Sequence, residues 1–108
     1  HPFMSSIFKA LADPTRRRIL ELLRRQSMTA GALAAEFPIS GSTMSSHFTV
    51  LREAHLVVSE KQGKTVVYHL QLSVLEEALL GFADLLGLQH RAAATSSSPS
   101  SLNKESAE

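Results

Sequence analysis

The 108-residue sequence predicts a small, mainly α-helical domain with a two-stranded β-hairpin, in the order α-α-α-α-β-β-α. Apolar residues recur at helical spacing in five segments, and a Ser, Thr or Asp suited to capping stands at the start of four of them. One further stretch is rich in alternating β-branched residues around a glycine, which is typical of a hairpin. At this length we expect one domain with a modest core.

The two ends of the chain are expected to lie outside this domain, which we place at residues 5–90. Three residues precede the first Met, so we interpret Met4 as the natural start and residues 1–4 as an N-terminal arm that carries a remnant of the expression vector. Residues 91–108 are rich in Ala and Ser and poor in large apolar side chains, which predicts a flexible tail.

The composition excludes several classes of protein. The sequence has no Cys, which excludes thiol redox sensing, a Cys nucleophile and a thiolate metal site within it. No apolar run approaches the roughly 18 residues that span a bilayer and no secretory signal is visible, which favours a cytoplasmic protein without a membrane partner. The net charge of +1 hides an asymmetry: nine Lys or Arg stand against five Asp or Glu up to Lys64, whereas residues 73–87 hold three acids and no base.

Two helices are predicted at the start of the domain, the first over about residues 5–12. Asp13 and Pro14 mark the start of the second helix, because Asp caps free amides and Pro fits the first helical position, where no N–H is needed. The second helix is predicted to run to about Arg25. Its core side is formed by Ile19, Leu20, Leu22 and Leu23.

Three consecutive arginines occupy the first turns of this second helix. Arg16, Arg17 and Arg18 lie at the end where the helix dipole disfavours cations. This placement favours an external anion, and we predict that Arg16 and Arg17 bind DNA phosphates. A solvated run of charges that pairs with Asp13 or Glu21 explains the cluster equally well.

A short third helix and a fourth helix follow, separated by a tight turn. Thr29 is predicted to cap the third helix, which runs to about Phe37, and Ser40 to cap the fourth. Two helices joined by a turn of about three or four residues are the signature of a helix-turn-helix, whose second helix enters the DNA major groove.

The predicted fourth helix has two contrasting faces. Met44, Phe48 and Leu51 share an apolar face that can anchor in a core. The other face carries short hydroxyl side chains, which permit close approach to a duplex and hydrogen bonds to phosphates or base edges. An ordinary solvated, Ser-rich face is the alternative. The predicted DNA contacts of this helix and its cap are Ser40, Ser42, Thr43, Ser45, Ser46, His47 and Thr49.

Two larger polar residues of this helix each have two interpretations. His47 lies beside the apolar face, where a structural role is favoured over a contact with phosphate. Arg52 either binds phosphate or covers the core with its stem, and the sequence favours neither.

A β-hairpin is predicted over residues 57–61 and 65–70, around Gln62, Gly63 and Lys64. Gly63 supplies the positive φ that the turn needs. We predict that Lys61, Gln62 and Lys64 contact the DNA backbone beside the groove, although a surface hairpin usually carries Lys in any case. A helix-turn-helix followed at once by a basic hairpin is the order of a winged helix-turn-helix.

The last predicted helix is capped by Ser73 and is apolar around more than half of its circumference. One domain of this size can cover one side, so the remaining apolar area favours a partner helix from a second copy. Deeper burial within a monomer is the alternative. The apolar residues are Val74, Leu75, Ala78, Leu79, Leu80, Phe82, Ala83, Leu85 and Leu86.

The assembled segments resemble the ArsR family of bacterial winged helix-turn-helix repressors, and most closely its SdpR-like branch of autorepressors. The similarity spans about residues 7–86 and depends on an ordered set of segments, residues 8–20, 28–31, 40–57 and 60–63. The resemblance implies a homodimer that represses a promoter carrying an inverted repeat. It also implies a dimer interface built from the first and last helices, here Ile7, Phe8, Leu11, Leu75, Leu79, Phe82, Ala83 and Leu86.

Three positions depart from the family pattern. Gly41 stands where many members carry Gln, and Ser46 where many carry Arg or His. We therefore expect Ser42, Thr43, Ser45 and the hairpin to contribute more to DNA recognition. His55 stands where the recognition helix usually ends in Gly, and His accepts a positive φ better than most residues.

Metal-sensing members of the family carry Cys pairs in the third helix, or Asp, His and Glu ligands in the last helix. The third helix here has no ligand pair, and the acids Glu76, Glu77 and Asp84, with His90 beyond them, lack the required spacing. We therefore expect neither a metal nor another cofactor.

These observations favour a sequence-specific, homodimeric repressor that binds double-stranded DNA, with autoregulation as one candidate role. The alternative is a protein-interaction module that uses the same scaffold without binding DNA. An enzyme is not expected, because no nucleophile, base and orienting group stand at a useful spacing, and the adjacent Ser46 and His47 point apart on a helix. An inducer would be an unidentified small molecule or protein.

Overall fold

The computed structural model describes residues 2–88, with the side chains of Pro2 and Phe3 left aside. The described residues form five helices and three strands, and the predicted mainly α-helical winged helix-turn-helix is confirmed. The predictions for His90 and for the tail at residues 91–108 fall outside the described residues. The elements are α1 (Pro2–Leu11), α2 (Pro14–Arg25), β1 (Met28–Thr29), α3 (Ala30–Ala34), α4 (Gly41–Glu53), β2 (Val57–Gln62), β3 (Thr65–Leu70) and α5 (Leu72–Leu85).

The chain divides into two compact units, residues 1–75 and 76–108. The first unit holds the helix-turn-helix and the hairpin. In the second, the structure describes the greater part of α5 and the turn after it, where Gly87 has a φ of 74°. None of the helices in residues 2–88 is long and apolar enough to cross a membrane.

Three of the predicted helix caps are confirmed. Asp13 Oδ2 accepts from the Arg16 amide at 3.1 Å, Thr29 Oγ1 from the Ala32 amide at 3.0 Å, and Ser40 Oγ from the Thr43 amide at 3.3 Å. Each bond satisfies an amide that has no partner within its own helix.

The fourth predicted cap and two helix bounds were wrong. Helix α5 begins at Leu72, so Ser73 lies within its first turn, and the Val74 amide bonds to the Gln71 carbonyl instead. Helix α1 begins at Pro2 rather than near residue 5. Helix α3 ends at Ala34, because the amides of Glu36 and Phe37 bond three residues back and tighten the chain into turns.

The core of the first unit is built from the predicted apolar faces. Helix α1 packs on α2 and α4, and β3 packs on α2. Burial of a Leu, Ile or Phe side chain contributes about 1.5–3 kcal/mol, so these contacts dominate the stability of the unit. The buried side chains include Ile19, Leu20, Leu22 and Leu23 of α2, Met44, Phe48 and Leu51 of α4, and Leu33, Leu56, Val57 and Tyr68.

The sheet has one strand more than predicted. Strand β1 pairs antiparallel with β3, with Met28 opposite Tyr68, and gives the strand order β1-β3-β2. Strands β2 and β3 form the predicted hairpin, whose last pair, Gln62 and Thr65, encloses a two-residue loop. Gly63 has a φ of 65° in this loop, which matches a type II′ turn with Gly at its first central position. Strand β1 thereby ties the start of the helix-turn-helix to the hairpin.

Candidate nucleic-acid interface

Helix α4 presents its hydroxyl face to solvent because its other face is anchored. Met44 and Leu51 are at most 1% exposed, whereas Ser42, Thr43, Ser45 and Ser46 are exposed and Thr49 is half-buried. The helix thus combines a rigid mount with a surface of short side chains, as a helix that enters a major groove requires.

The hydroxyls at the start of α4 bond to one another. Ser40 Oγ donates to Thr43 Oγ1 at 2.9 Å and lies 3.3 Å from Ser42 Oγ. Because Ser40 has a single hydroxyl hydrogen, Ser42 is the donor in the second contact. Ser40 and Ser42 therefore have their O–H groups engaged, while Thr43 accepts and keeps its own O–H.

Two further hydroxyls bond back to the helix itself. Ser46 Oγ donates to the Ser42 carbonyl at 3.2 Å, and Thr49 Oγ1 donates to the Ser45 carbonyl at 3.0 Å. Among the described residues, Ser45 makes no hydrogen bond through its hydroxyl. Since phosphate oxygens only accept, Thr43 and Ser45 are the hydroxyls of α4 that can donate to DNA without breaking a bond.

His47 and Arg16 have structural partners. His47 has a side chain 13% exposed, and its Nδ1 lies 3.1 Å from Arg16 Nη1 and 3.9 Å from Asp13 Oδ2. The interpretation of His47 as a structural residue, favoured from sequence, fits this geometry. Arg16 also donates Nη2 to the Lys9 carbonyl at 2.8 Å and Nε to the Ala10 carbonyl at 3.0 Å.

The arginine cluster thus serves α1. Arg17 Nη1 donates to the Leu11 carbonyl at 2.7 Å, so Arg16 and Arg17 together satisfy the last carbonyls of α1. Arg18 pairs with Glu21, which is the exposed ion pair named as an alternative. Arg17 is exposed and keeps further N–H groups for an anion, whereas each nitrogen of the Arg16 guanidinium already contacts a protein acceptor.

The Asp13 carboxyl has a lowered pKa. Desolvation is the largest single influence and acts to raise the pKa, but the bond from the Arg16 amide and the positive charges of His47 and Arg16 together outweigh it. Asp13 therefore caps α2 as a carboxylate. It is also the acid that faces the contact between Arg16 and His47.

Arg52 lies on the hydroxyl side of α4. Its Nη2 donates to Thr49 Oγ1 at 3.3 Å and its side chain is exposed. This exposure does not support the interpretation that the stem of Arg52 covers the core. The remaining donors of Arg52 can reach an external acceptor.

The hairpin, or wing, carries two cations without partners. Lys61 and Lys64 are exposed and make no hydrogen bond or ion pair with any residue that the structure describes. Gln62 instead bonds through its side chain to Glu60. Lys61 and Lys64 are therefore the freer candidates for phosphate contact.

A stacked aromatic pair joins the wing to α4. The rings of Phe48 and Tyr68 are 4.7 Å apart between centroids and are inclined at 29°. Such a pair contributes about 0.5–1.5 kcal/mol beyond its buried area. Because Phe48 lies in α4 and Tyr68 in β3, the stack sets the position of the wing relative to the hydroxyl face.

Sequence reasoning missed a polar network at the base of the wing. His69 Nε2 lies 2.8 Å from Glu60 Oε1, and His69 Nδ1 lies 2.6 Å from Ser27 Oγ. Hydrogen bonds from His69 and then from Gln62 lower the pKa of the Glu60 carboxyl. The hairpin register places Glu60 opposite Val67, so His69 is the diagonal neighbour of Glu60. The contact between Glu60 and His69 could therefore have been predicted from the hairpin, whereas Ser27 is distant in sequence.

In residues 2–88, no group of three or more His, Asp and Glu side chains could hold a metal ion.

Comparison with known proteins places this geometry in a family. A helix-turn-helix domain model, HTH_20, matches residues 11–60. The transcriptional repressor SdpR of Bacillus subtilis is 40% identical over 76 residues, which cover 70% of this chain and 84% of SdpR. The chain belongs to the ArsR family.

Solved structures of ArsR family proteins share the fold. An ArsR-like transcriptional regulator from Rhodococcus sp. RHA1 superposes with a TM-score of 0.73 at 29% identity, covering 87% of this chain and 89% of that one. The ArsR family transcriptional regulator RHA00566 gives a TM-score of 0.74 at 27% identity, covering 82% of this chain and 97% of that one. As a member of the ArsR family, the protein is a DNA-binding transcriptional repressor and not an enzyme.

Proposed function

We propose that the protein is a sequence-specific repressor that binds an inverted-repeat operator as a homodimer and acts on its own promoter. The observation that carries this proposal is the exposed face of α4, where Thr43 and Ser45 keep free O–H donors. Short donors on a rigidly mounted helix suit hydrogen bonds to phosphates and base edges in a major groove.

The predicted contacts divide into two groups by their bonding in the free protein. Arg16 and His47 bond to each other, and we assign them the positioning of α4 rather than direct contact with DNA. The other predicted residues are exposed or half-buried and can reach a duplex. They are Ser40, Ser42, Thr43, Ser45, Ser46, Thr49 and Arg52 of α4 and its cap, Lys61, Gln62 and Lys64 of the wing, and Arg17.

The proposed dimer uses apolar residues that are still accessible in the single chain. Phe8 is 42% exposed, Leu79 54% and Leu86 56%. Ile7 is 1% exposed, so it has almost no surface left to bury against a second copy and we remove it from the proposed interface. Leu11, Leu75, Phe82 and Ala83 are half-buried and remain in it. A two-fold dimer would place two copies of α4 in successive major grooves, about 34 Å apart.

An operator-bound repressor acts where the chromosome is, so we place the protein in the cytoplasm. Any inducer would be a small molecule or a protein that lowers the affinity for the operator. Neither role requires a metal or another cofactor.

The test is fluorescence anisotropy with two labelled duplexes, one from the region upstream of the protein's own gene and one with the same composition in scrambled order. Both are titrated from about 50 to 200 mM salt, a range over which six to ten phosphate contacts lower affinity by about 10³–10⁵-fold. Sedimentation velocity of the complex gives the number of protomers for each duplex.

A preference for the native duplex of at least tenfold, a steep salt dependence and two protomers per site are expected. Equal affinity for both duplexes at all salt concentrations contradicts autoregulation. One protomer per site contradicts the homodimer. Retention of neither duplex at 50 mM salt contradicts the assigned DNA contacts.

A further inference from the structure

The first unit contains an open apolar pocket of about 290 Å³, and none of its lining residues lies in α4. Five leucines from four elements line it, at the end of α1, in α2, at the end of β3 and in the first turn of α5. They are Leu11, Leu20, Leu70, Leu72 and Leu75. We call this open pocket the leucine pocket.

The remaining lining residues of the leucine pocket are charged. Arg17, Glu21 and Arg24 come from α2, with Leu20 between the two arginines. Glu21 is paired with Arg18, which is outside the pocket and offsets the negative charge. Arg24 makes no hydrogen bond or ion pair with any described residue, and Arg17 uses one nitrogen on the Leu11 carbonyl. The lining therefore offers unused guanidinium donors beside apolar walls.

This combination selects a ligand of mixed chemistry. Burial against the leucines removes an apolar chain from water, and an anionic head accepts charge-assisted hydrogen bonds from a guanidinium. At roughly 30 Å³ per atom, the volume that one water occupies in the liquid, the pocket holds about ten non-hydrogen atoms. A carboxylate with a chain of about eight carbons has this size.

We infer that the leucine pocket binds a small amphipathic carboxylate, with the chain against Leu20, Leu70 and Leu75 and the head at Arg24. The neutral counterpart of the same chain lacks the anion, and a short carboxylate lacks the apolar part. Each should therefore bind more weakly than the complete ligand.

The walls of the pocket belong to elements that also carry the DNA site. Helix α2 packs on α4, and β3 is a strand of the wing. A bound carboxylate can therefore alter operator affinity, a consequence that depends on the proposed repressor function. Leu11 and Leu75 are also residues of the proposed dimer interface, so a second copy of the chain is the competing occupant.

The test is isothermal titration calorimetry of the full chain without DNA, using octanoate, 1-octanol and acetate as probes. Octanoate is expected to bind once per chain, at least tenfold more tightly than 1-octanol or acetate. Arg24→Gln should weaken octanoate by about tenfold, because it removes a charge-assisted bond. Arg25→Gln is the matched control, since Arg25 is the neighbouring exposed arginine of α2 and does not line the pocket.

A second variant tests the apolar part. Leu72 is 46% exposed, so Leu72→Trp can be accommodated without unfolding and should fill the pocket and abolish octanoate binding. Circular dichroism confirms that each variant is folded. Absence of octanoate binding at millimolar concentration, or equal loss in Arg24→Gln and Arg25→Gln, overturns the inference.

Two further measurements test which ligand occupies the pocket and whether its binding changes operator affinity. Octanoate affinity that falls tenfold as the protein dimerises would assign the pocket to the second copy and overturn the inference. Operator affinity is measured separately with and without octanoate. If octanoate binds in calorimetry but leaves DNA affinity unchanged, carboxylate binding in the pocket is supported. Only the proposed effect of the ligand on repression is then contradicted.

Discussion

Arg16 of α2 and His47 of α4 are joined by a contact of 3.1 Å between Nη1 and Nδ1. A guanidinium only donates, so Nδ1 of His47 is the acceptor in this contact. The other nitrogens of Arg16 hold the carbonyls of Lys9 and Ala10. One side chain therefore connects the end of α1, the start of α2 and the helix proposed to read DNA.

Replacement of Arg16 by Gln should destabilise the protein by about 2 kcal/mol. The change removes three hydrogen bonds from a charged donor, each of which contributes about 1.5–3 kcal/mol but not additively, and leaves partly buried acceptors unpaired. Urea unfolding followed by circular dichroism measures the effect. Arg18→Gln is the matched control, since it breaks only an exposed ion pair and should cost less than about 1 kcal/mol. Equal losses in the two variants would contradict the role of Arg16.

Replacement of Asp13 by Asn should reduce the acid sensitivity of folding. The pKa of Asp13 is lowered in the folded state, so the charge stabilises the fold fully above the ordinary value of 3.8, and this stability is lost as the pH falls through the lower folded-state pKa. Asn keeps the capping function without the charge. The stability advantage of the wild type over Asp13→Asn should therefore shrink as the pH falls below about 4. An advantage that stays constant from pH 6 to 2.5 in urea titrations would argue against the shift.

Replacement of Ser45 by Ala should weaken binding to the preferred operator more than binding to random DNA. The Ser45 hydroxyl has no partner among residues 2–88, and a single neutral hydrogen bond to a base contributes about 0.5–1.5 kcal/mol. Ser46→Ala is the comparison variant and should cost less discrimination, because the Ser46 hydroxyl already donates to the Ser42 carbonyl in the free protein. Fluorescence anisotropy gives, for each variant, the ratio of its affinity for the operator to its affinity for the scrambled duplex. A larger loss of discrimination in Ser46→Ala than in Ser45→Ala would reverse the assignment.

Replacement of Lys64 by Ala should weaken binding to all duplexes to a similar degree and flatten the salt dependence. Each phosphate contact contributes about 0.9 to the slope of log affinity against log salt, so the loss of one contact per protomer in a dimer lowers the slope by about 1.8. Arg25→Ala controls for the general loss of positive charge. An unchanged slope in Lys64→Ala would show that the wing does not reach a phosphate through this residue.

Local signals predicted most of the fold because they act over few residues. The caps at Asp13, Thr29 and Ser40 and the turn at Gly63 each depend on geometry within about three residues, and all were found in the expected places. Two helix bounds were wrong, the start of α1 and the end of α3, where the amides of Glu36 and Phe37 bond to carbonyls three residues back. Residues 28–29 form a strand only because β3 is beside them.

The candidate site was predicted as a set of residues but not as a set of contacts. Sequence spacing placed the hydroxyls of α4 on one face, yet it could not show that Ser46 and Thr49 bond to the helix while Ser45 does not. Likewise, the pairing of Arg18 with Glu21 was named as an alternative, but the charge pattern does not reveal that Arg16 and Arg17 donate to carbonyls of α1.

The end of α4 supplies a final prediction, since His55 has a φ of 61° there. The His55 amide bonds to the Arg52 carbonyl, and the Leu56 amide bonds to the Leu51 carbonyl. Leu51 and Leu56 are fully buried. These two bonds and the apolar contact form a Schellman motif with His55 at the left-handed position. Both His55→Gly and His55→Ala remove the side chain, but only Gly adopts this conformation without strain. We expect His55→Gly to be about 1 kcal/mol more stable than His55→Ala in urea unfolding at pH 7. An Ala variant that equals or exceeds the Gly variant would mean that the helix ends with a different backbone conformation.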